Sequence, residues 1–170
     1  MSADLKNTKE ALNKFAKYVI QQAKTNLTKN KKNVSSDLYG SLGYVPPKAG
    51  ANSFSLEFYM ADYGQFVDQG VSGIKKKYNT PFSYTNKKPP MQPLADWAKA
   101  RRIRLRDEKG RYKKGNYRTI GFILQRSIYE KGIKPSLFFT KPFEKAFTNL
   151  PDELINRFGL DLDDLLDFTT

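Results

Sequence analysis

Phe54-Ser55-Leu56-Glu57-Phe58-Tyr59-Met60 is the stretch on which the fold class turns. Phe54, Leu56, Phe58 and Met60 alternate with Ser55, Glu57 and Tyr59, the period-two pattern of a half-buried strand. Gly43 to Val45 reads as its partner, with Pro46 to Asn52 as the connection. Around this signal the spacing is mostly helical. A small antiparallel sheet among helices gives an α+β fold.

Upstream, apolar residues recur at Leu5, Leu12, Phe15, Ala16, Val19, Ile20, Ala23 and Leu27. That spacing predicts a long N-terminal helix, roughly 36 Å from end to end at 1.5 Å per residue. The lysine-rich segment from Thr28 to Asn33 ends it. Val34 to Leu42 reads as a short turn of helix with Ser35 or Ser36 as N-cap.

Downstream, Ala61 to Gly70 turns a corner, and Val71 to Pro93 reads as a loop anchored by Tyr78, Phe82 and Tyr84. Leu94 to Ile103 is an expected helix with Leu94, Trp97, Ala98 and Arg101 on one side. Arg104 to Asn116 is an expected mobile basic turn. A second long helix follows from Tyr117 to Glu130, its apolar face formed by Ile120, Ile123, Leu124, Ser127 and Ile128, with Gly132 just past its end. Leu137 to Phe139 reads as a short buried strand, and Lys141 to Phe147 as a helix begun by Pro142. The expected organisation is therefore a domain over 1–150, with a basic insertion at about 71–118, and an acidic amphipathic arm over 151–170.

The 170 residues include no cysteine and no histidine. Disulfides, thiolate nucleophiles, Cys/His zinc sites and histidine bases are thereby excluded. The remaining catalytic signal is a carboxylate set of the nuclease kind, Asp96, Asp107 and Glu108 with Lys109. Asp-x-Lys in a glycine-containing turn is read as solvated chain, so the expectation is no catalytic residue, no metal and no cofactor. No window approaches the roughly 18 uninterrupted apolar residues of a membrane span. Met1 to Glu10 is polar and lacks the apolar core of a signal peptide, so synthesis in a cytoplasm is expected.

Charge is distributed unevenly. The formal net charge is +13, yet the last twenty residues set six carboxylates against Arg157, a net −5 that leaves +18 on the other 150. Ten cations fall within the twenty residues from Lys99 to Arg118, against Asp107 and Glu108. Arg101, Arg102, Arg104, Arg106, Arg111, Lys113, Lys114 and Arg118 are the candidate contacts to DNA or to another subunit. Tyr112 and Tyr117 lie among them, and such a mixture grips phosphates or stacks on bases. In the arm, Leu154, Ile155, Phe158, Leu162 and Leu165 form an apolar stripe, the candidate docking surface for a partner. Its removal is expected to leave residues 1–150 folded.

Three segments in order resemble one family. They are Ser36-Asp37-Leu38-Tyr39-Gly40-Ser41-Leu42, Tyr63-Gly64-Gln65-Phe66-Val67-Asp68-Gln69-Gly70, and the run from Gly132-Ile133-Lys134-Pro135 through Phe138-Phe139 to Pro142-Phe143. The pattern is similar to that of tail-completion and head–tail joining (neck) proteins of tailed bacteriophages, over residues 5–147. The first segment lacks the family's threonine–glycine opening, the Pro81 to Arg118 insertion is larger than in short members, and the acidic tail lies outside the pattern. The resemblance implies a non-enzymatic homo-oligomeric ring, six- or twelve-fold, around the DNA channel of the virion neck. Its implied partners are a portal or adaptor protein and tail proteins, with non-specific contact to genomic DNA. A basic nucleic-acid-binding module of phage replication or packaging is the alternative reading.

Overall fold

The computed structural model describes residues 5–30, 36–49 and 53–167. Among them the order is α1 (Lys6–Lys29), α2 (Asp37–Ser41), β1 (Gly43–Ala49), β2 (Phe54–Tyr59), α3 (Gly64–Gln69), α4 (Met91–Ala100), β3 (Leu105–Arg106), β4 (Tyr112–Lys113), α5 (Tyr117–Lys131), α6 (Thr140–Phe147) and α7 (Leu150–Asp167). The fold is α+β, with a long N-terminal helix and small antiparallel pairs. Two compact units share the chain: residues 1–62 with 138–170, and residues 63–137.

In the first unit, α1 buries Leu12, Phe15, Val19, Ala23 and Leu27. These positions advance by three or four, so one face of the helix meets the core. β1 and β2 pair antiparallel, with Tyr44 opposite Phe58 and Val45 opposite Glu57. The pairing shifts between Val45 and Lys48, where Pro46 and Pro47 lack the N–H groups a ladder needs. The strand expected to stop at Val45 resumes past these prolines to Ala49, shortening the expected connection. Leu38 and Leu42 are buried, and the Ser41 hydroxyl donates to Leu38 O and accepts from Ala61 N–H. Ser36 stands at the N-cap of α2 but makes no capping side-chain bond; Ser35 lies outside the described residues.

Phenylalanines fill the middle of this unit. Phe58 presents its ring edge-on to Phe15, Phe139 and Phe143, at centroid distances of 6.2, 5.4 and 5.9 Å. Each such pair adds about 0.5–1.5 kcal/mol beyond the area it buries. Leu150 is buried in the same cluster, and Leu154 packs against it. Asp161, also on α7, reaches the start of α1. There its carboxylate accepts the N–H groups of Asn7 and Thr8 at 2.8 and 2.9 Å and the Thr8 hydroxyl at 2.6 Å. Leu5, at the N-cap of α1, provides no side-chain cap. α7 thus caps α1 from a distance of more than 150 residues in sequence.

The described part of the expected arm is α7, which lies within the first unit and packs on its core. Its inner face lies on the core of the first unit, because Leu150, Leu154 and Asp161, spaced by four and then seven residues, fall on one side of the helix. Leu137 to Phe139 is not a strand. Leu137 has φ of 49°, which breaks an extended run. Phe138 is fully buried, its carbonyl accepting from the Asn26 side chain at 3.2 Å, and Phe139 is the N-cap of α6.

In the second unit, α4 and α5 pack antiparallel. A Cβ added at Gly121 would stand 2.9 Å from the Ala95 Cβ, so this crossing tolerates only glycine. α4 buries Ala95 and Ala98; of the expected face Ala98 is buried, while Trp97 is exposed. On α5, Ile120 and Gly121 are buried while Phe122 and the expected core residue Ile123 are exposed. The segments after α3 and α5 meet. Val71 and Ile133 exchange both backbone hydrogen bonds, at 2.9 and 2.7 Å. Gly70 and Gly132 enter this bridge with φ of 74° each, a conformation that favours glycine. The Asp68 carbonyl accepts from Ser136 and Leu137 N–H, both at 2.9 Å. Phe82 anchors the long loop edge-on to Phe66, and Tyr84 lies against Tyr129.

Candidate nucleic-acid interface

The basic segment between α4 and α5 is a short β-hairpin rather than the mobile turn expected. Leu105 pairs with Lys113 and Arg106 with Tyr112. Its tip is fixed by Asp107, whose carboxylate accepts the N–H groups of Lys109 and Arg111 at 3.0 and 2.8 Å. The Asp107 N–H bonds Arg111 O, and Gly110 takes the left-handed conformation, φ 78°. This aspartate organises a turn. The Asn116 side chain then caps α5 by accepting from the Thr119 N–H and hydroxyl, both at 2.8 Å.

Arg101 and Arg102 end α4, Arg104 and Arg106 run along one edge of the hairpin, Arg111, Lys113 and Lys114 along the other, and Arg118 begins α5. All eight side chains are exposed. The Arg106 guanidinium lies 4.8 Å from the Tyr112 ring centre and that of Arg104 5.5 Å, while Arg101 lies over Trp97. Arg106 also donates to Gly110 O and to the Tyr112 hydroxyl, each at 3.3 Å. An open cleft of about 370 Å³ runs beside the hairpin, lined by Arg104, Tyr112, Lys113, Lys114 and Tyr117 among others and by no carboxylate. Among the described residues, no three carboxylate, histidine or cysteine side chains converge as a metal would require.

Glu130, on the far turn of α5, bonds Lys75 at 2.9 Å and Arg126 at 3.2 Å. The Lys75 bond first and the Arg126 bond second hold its carboxyl below the usual range. Burial pushes the Tyr84 hydroxyl up. Neither group belongs to the hairpin.

The candidate docking residues of α7 divide between two faces. Leu154 packs on the core, and Phe158 meets Phe54 edge-on at 6.4 Å. Ile155 is 70% exposed and Leu162 43%. Seven residues apart, these two share a flank of the helix about a third of a turn round from Asp161, with Asp152 and Asp163 beside them further round. Leu165, one turn further on, is also partly exposed.

One surface escaped the sequence reading. An open groove of about 700 Å³ follows α1, with Lys17, Lys24 and Lys29 on one side and Tyr39 and Tyr44 on the other. Lys24 sits 5.0 Å over the Tyr39 ring. The signal was present in the polar face of α1, where Lys17, Gln21, Lys24 and Thr28 recur at helical spacing.

No protein-family model, curated protein or solved structure matches this chain.

Proposed function

We propose that the chain is a structural subunit of a bacteriophage neck, assembling into a ring around the DNA channel and joining the portal side to the tail. The observation that carries the reading is the meeting of two of the segments in which the resemblance lies. Tyr63–Gly70 and the run from Gly132 are more than sixty residues apart, yet they close on each other through the Val71–Ile133 bridge and the Asp68 carbonyl. A Cβ at Gly132 would stand 2.1 Å from Val71 O, and one at Gly70 2.5 Å from Ile133 O. The shared residues are thus the ones this backbone corner demands. A second support is the outer face of α7. A helix with one face in the core and an exposed apolar pair outside it has surface to give to a partner, and a ring closes through head-to-tail contacts of this kind.

The alternative, a nucleic-acid-binding module of replication or packaging, is favoured by the hairpin alone. Negative-stain images of the purified full chain separate the two. Uniform rings support the neck subunit; single particles that gel-shift DNA support the module.

A further inference from the structure

We propose that the β3–β4 hairpin is a clamp for the phosphate backbone of duplex DNA, in which Tyr112 positions Arg104 and Arg106. This deepens the neck reading by naming a ligand for one element, but DNA binding can be measured whether or not rings form.

Three features carry it. The first is uncompensated charge. Among the described residues, Arg104, Arg106, Arg111, Lys113, Lys114 and Arg118 take part in no ion pair, unlike Lys14, Lys75 and Arg126. The Asp107 carboxylate is committed to two backbone N–H groups of the turn, which leaves Glu108 as the acid to set against them. Five cations on the hairpin and its flanks and a sixth in the first turn of α5 attract a polyanion strongly.

The second is stiffness. The antiparallel pairing, the Asp107 turn and the Asn116 cap hold the cations on a formed element, so less conformational entropy is lost on binding than with a floppy basic loop.

The third is the state of Tyr112. The side chain is 65% exposed, but two guanidiniums lie against its ring. A ring so engaged is a poor platform for a base. Guanidiniums held against an aromatic ring still offer N–H groups to phosphate oxygens: Arg106 gives one N–H to Gly110 O and one to the Tyr112 hydroxyl and keeps the rest of its five donors. The arrangement points to backbone contacts and away from base stacking. It also argues against a protein partner: apart from Tyr112 and the half-buried Leu105, the surface of β3, β4 and their turn is charged or glycine, whereas protein interfaces have an aromatic and apolar centre.

The test is fluorescence anisotropy of the full chain with two labelled duplexes of unrelated sequence, across salt concentrations. Equal affinity for both is expected, with a loss of roughly a thousandfold between 50 and 200 mM salt for about six phosphates neutralised. Replacing Arg104, Arg106, Lys113 and Lys114 together by serine abolishes binding while the melting temperature holds. Tyr112→Ala removes no charge yet weakens binding about tenfold, and Tyr112→Phe, which keeps the ring, restores it. A pure folding role for Tyr112 would instead lower the melting temperature of Tyr112→Ala and leave the affinity of its folded fraction unchanged. The proposal is overturned by absence of binding at 50 mM salt, by a strong preference for one sequence, or by a quadruple variant that still binds, which would move the site to the lysine groove on α1.

Discussion

Asp161 is the residue on which the first unit most depends in a way its own neighbourhood in sequence does not announce. Burial alone would push its carboxyl up, but the bonds from the Thr8 hydroxyl, the Thr8 and Asn7 N–H groups and the Asn7 side chain outweigh it and hold the group below its usual range. An aspartate whose pKa falls on folding stabilises the folded state above its unfolded pKa, about 3.9, and that contribution is lost as pH drops through the lower folded value. Asp161→Ala should therefore cost about 1–2 kcal/mol at pH 7, the range for a lost helix cap with buried donors left unpaired. Urea titrations at pH 7 and again below pH 3 should find the gap to the unchanged protein wide at the first and narrowed at the second. A gap independent of pH would mean the carboxylate charge is irrelevant to the cap. Gly132→Ala makes the companion case, since it places a Cβ 2.1 Å from Val71 O at φ 74°. A fall in stability of more than about 2 kcal/mol is expected from strain of this kind, read in the same titration. Single residues were only partly legible in the sequence. Gly132 stood out as a helix-ending glycine, whereas the role of Asp161 depends on a helix end more than 150 residues away, which no local pattern encodes.

At the scale of elements, periodicity revealed most of the helices and the Phe54–Tyr59 strand, because burying one face imposes a period on any sequence. It was less able to say which face is buried when a helix carries apolar residues on both sides. Ile123 on α5 shared the helical spacing of Ile120 and yet is exposed, since the close crossing on Ala95 belongs to Gly121. The hairpin was hidden for another reason: strands of two residues are too short for alternation, and dense charge reads as loop. α7 shows the same duality and can be split experimentally. Leu154→Ala, on the inner face, should cost about 2 kcal/mol of stability. Ile155→Ser with Leu162→Ser, on the outer face, should change stability by less than about 0.5 kcal/mol and dissociate the oligomer. Thermal melts and sedimentation on the same samples give both readouts, and a large loss of stability from the outer pair would place it in the core instead. Truncation before Pro151 should now destabilise the first unit, because it removes the α1 cap together with Leu154. The sequence suggested the reverse, having shown the arm's charge but not its contacts.

The whole molecule divides where a linear reading does not. One unit is assembled from both ends of the chain and the other from its middle, so the resemblance-bearing segment at 63–70 and the opening residues 132–137 of the segment at 132–143 fall together in the second, while 138–143 belongs to the first. Each unit offers a surface of its own: an apolar pair flanked by acids on α7 of the first, and an unneutralised basic hairpin on the second. We assign the former to assembly and the latter to phosphate, and the neck function rests on assembly. Native mass spectrometry of the full chain tests it most directly, with the Ile155→Ser/Leu162→Ser protein as its comparison. The predicted result is one discrete oligomer of six or twelve copies for the unchanged chain, and a folded monomer for the double variant. A monomer at every concentration for the unchanged chain, or an oligomer indifferent to the two serines, would contradict it.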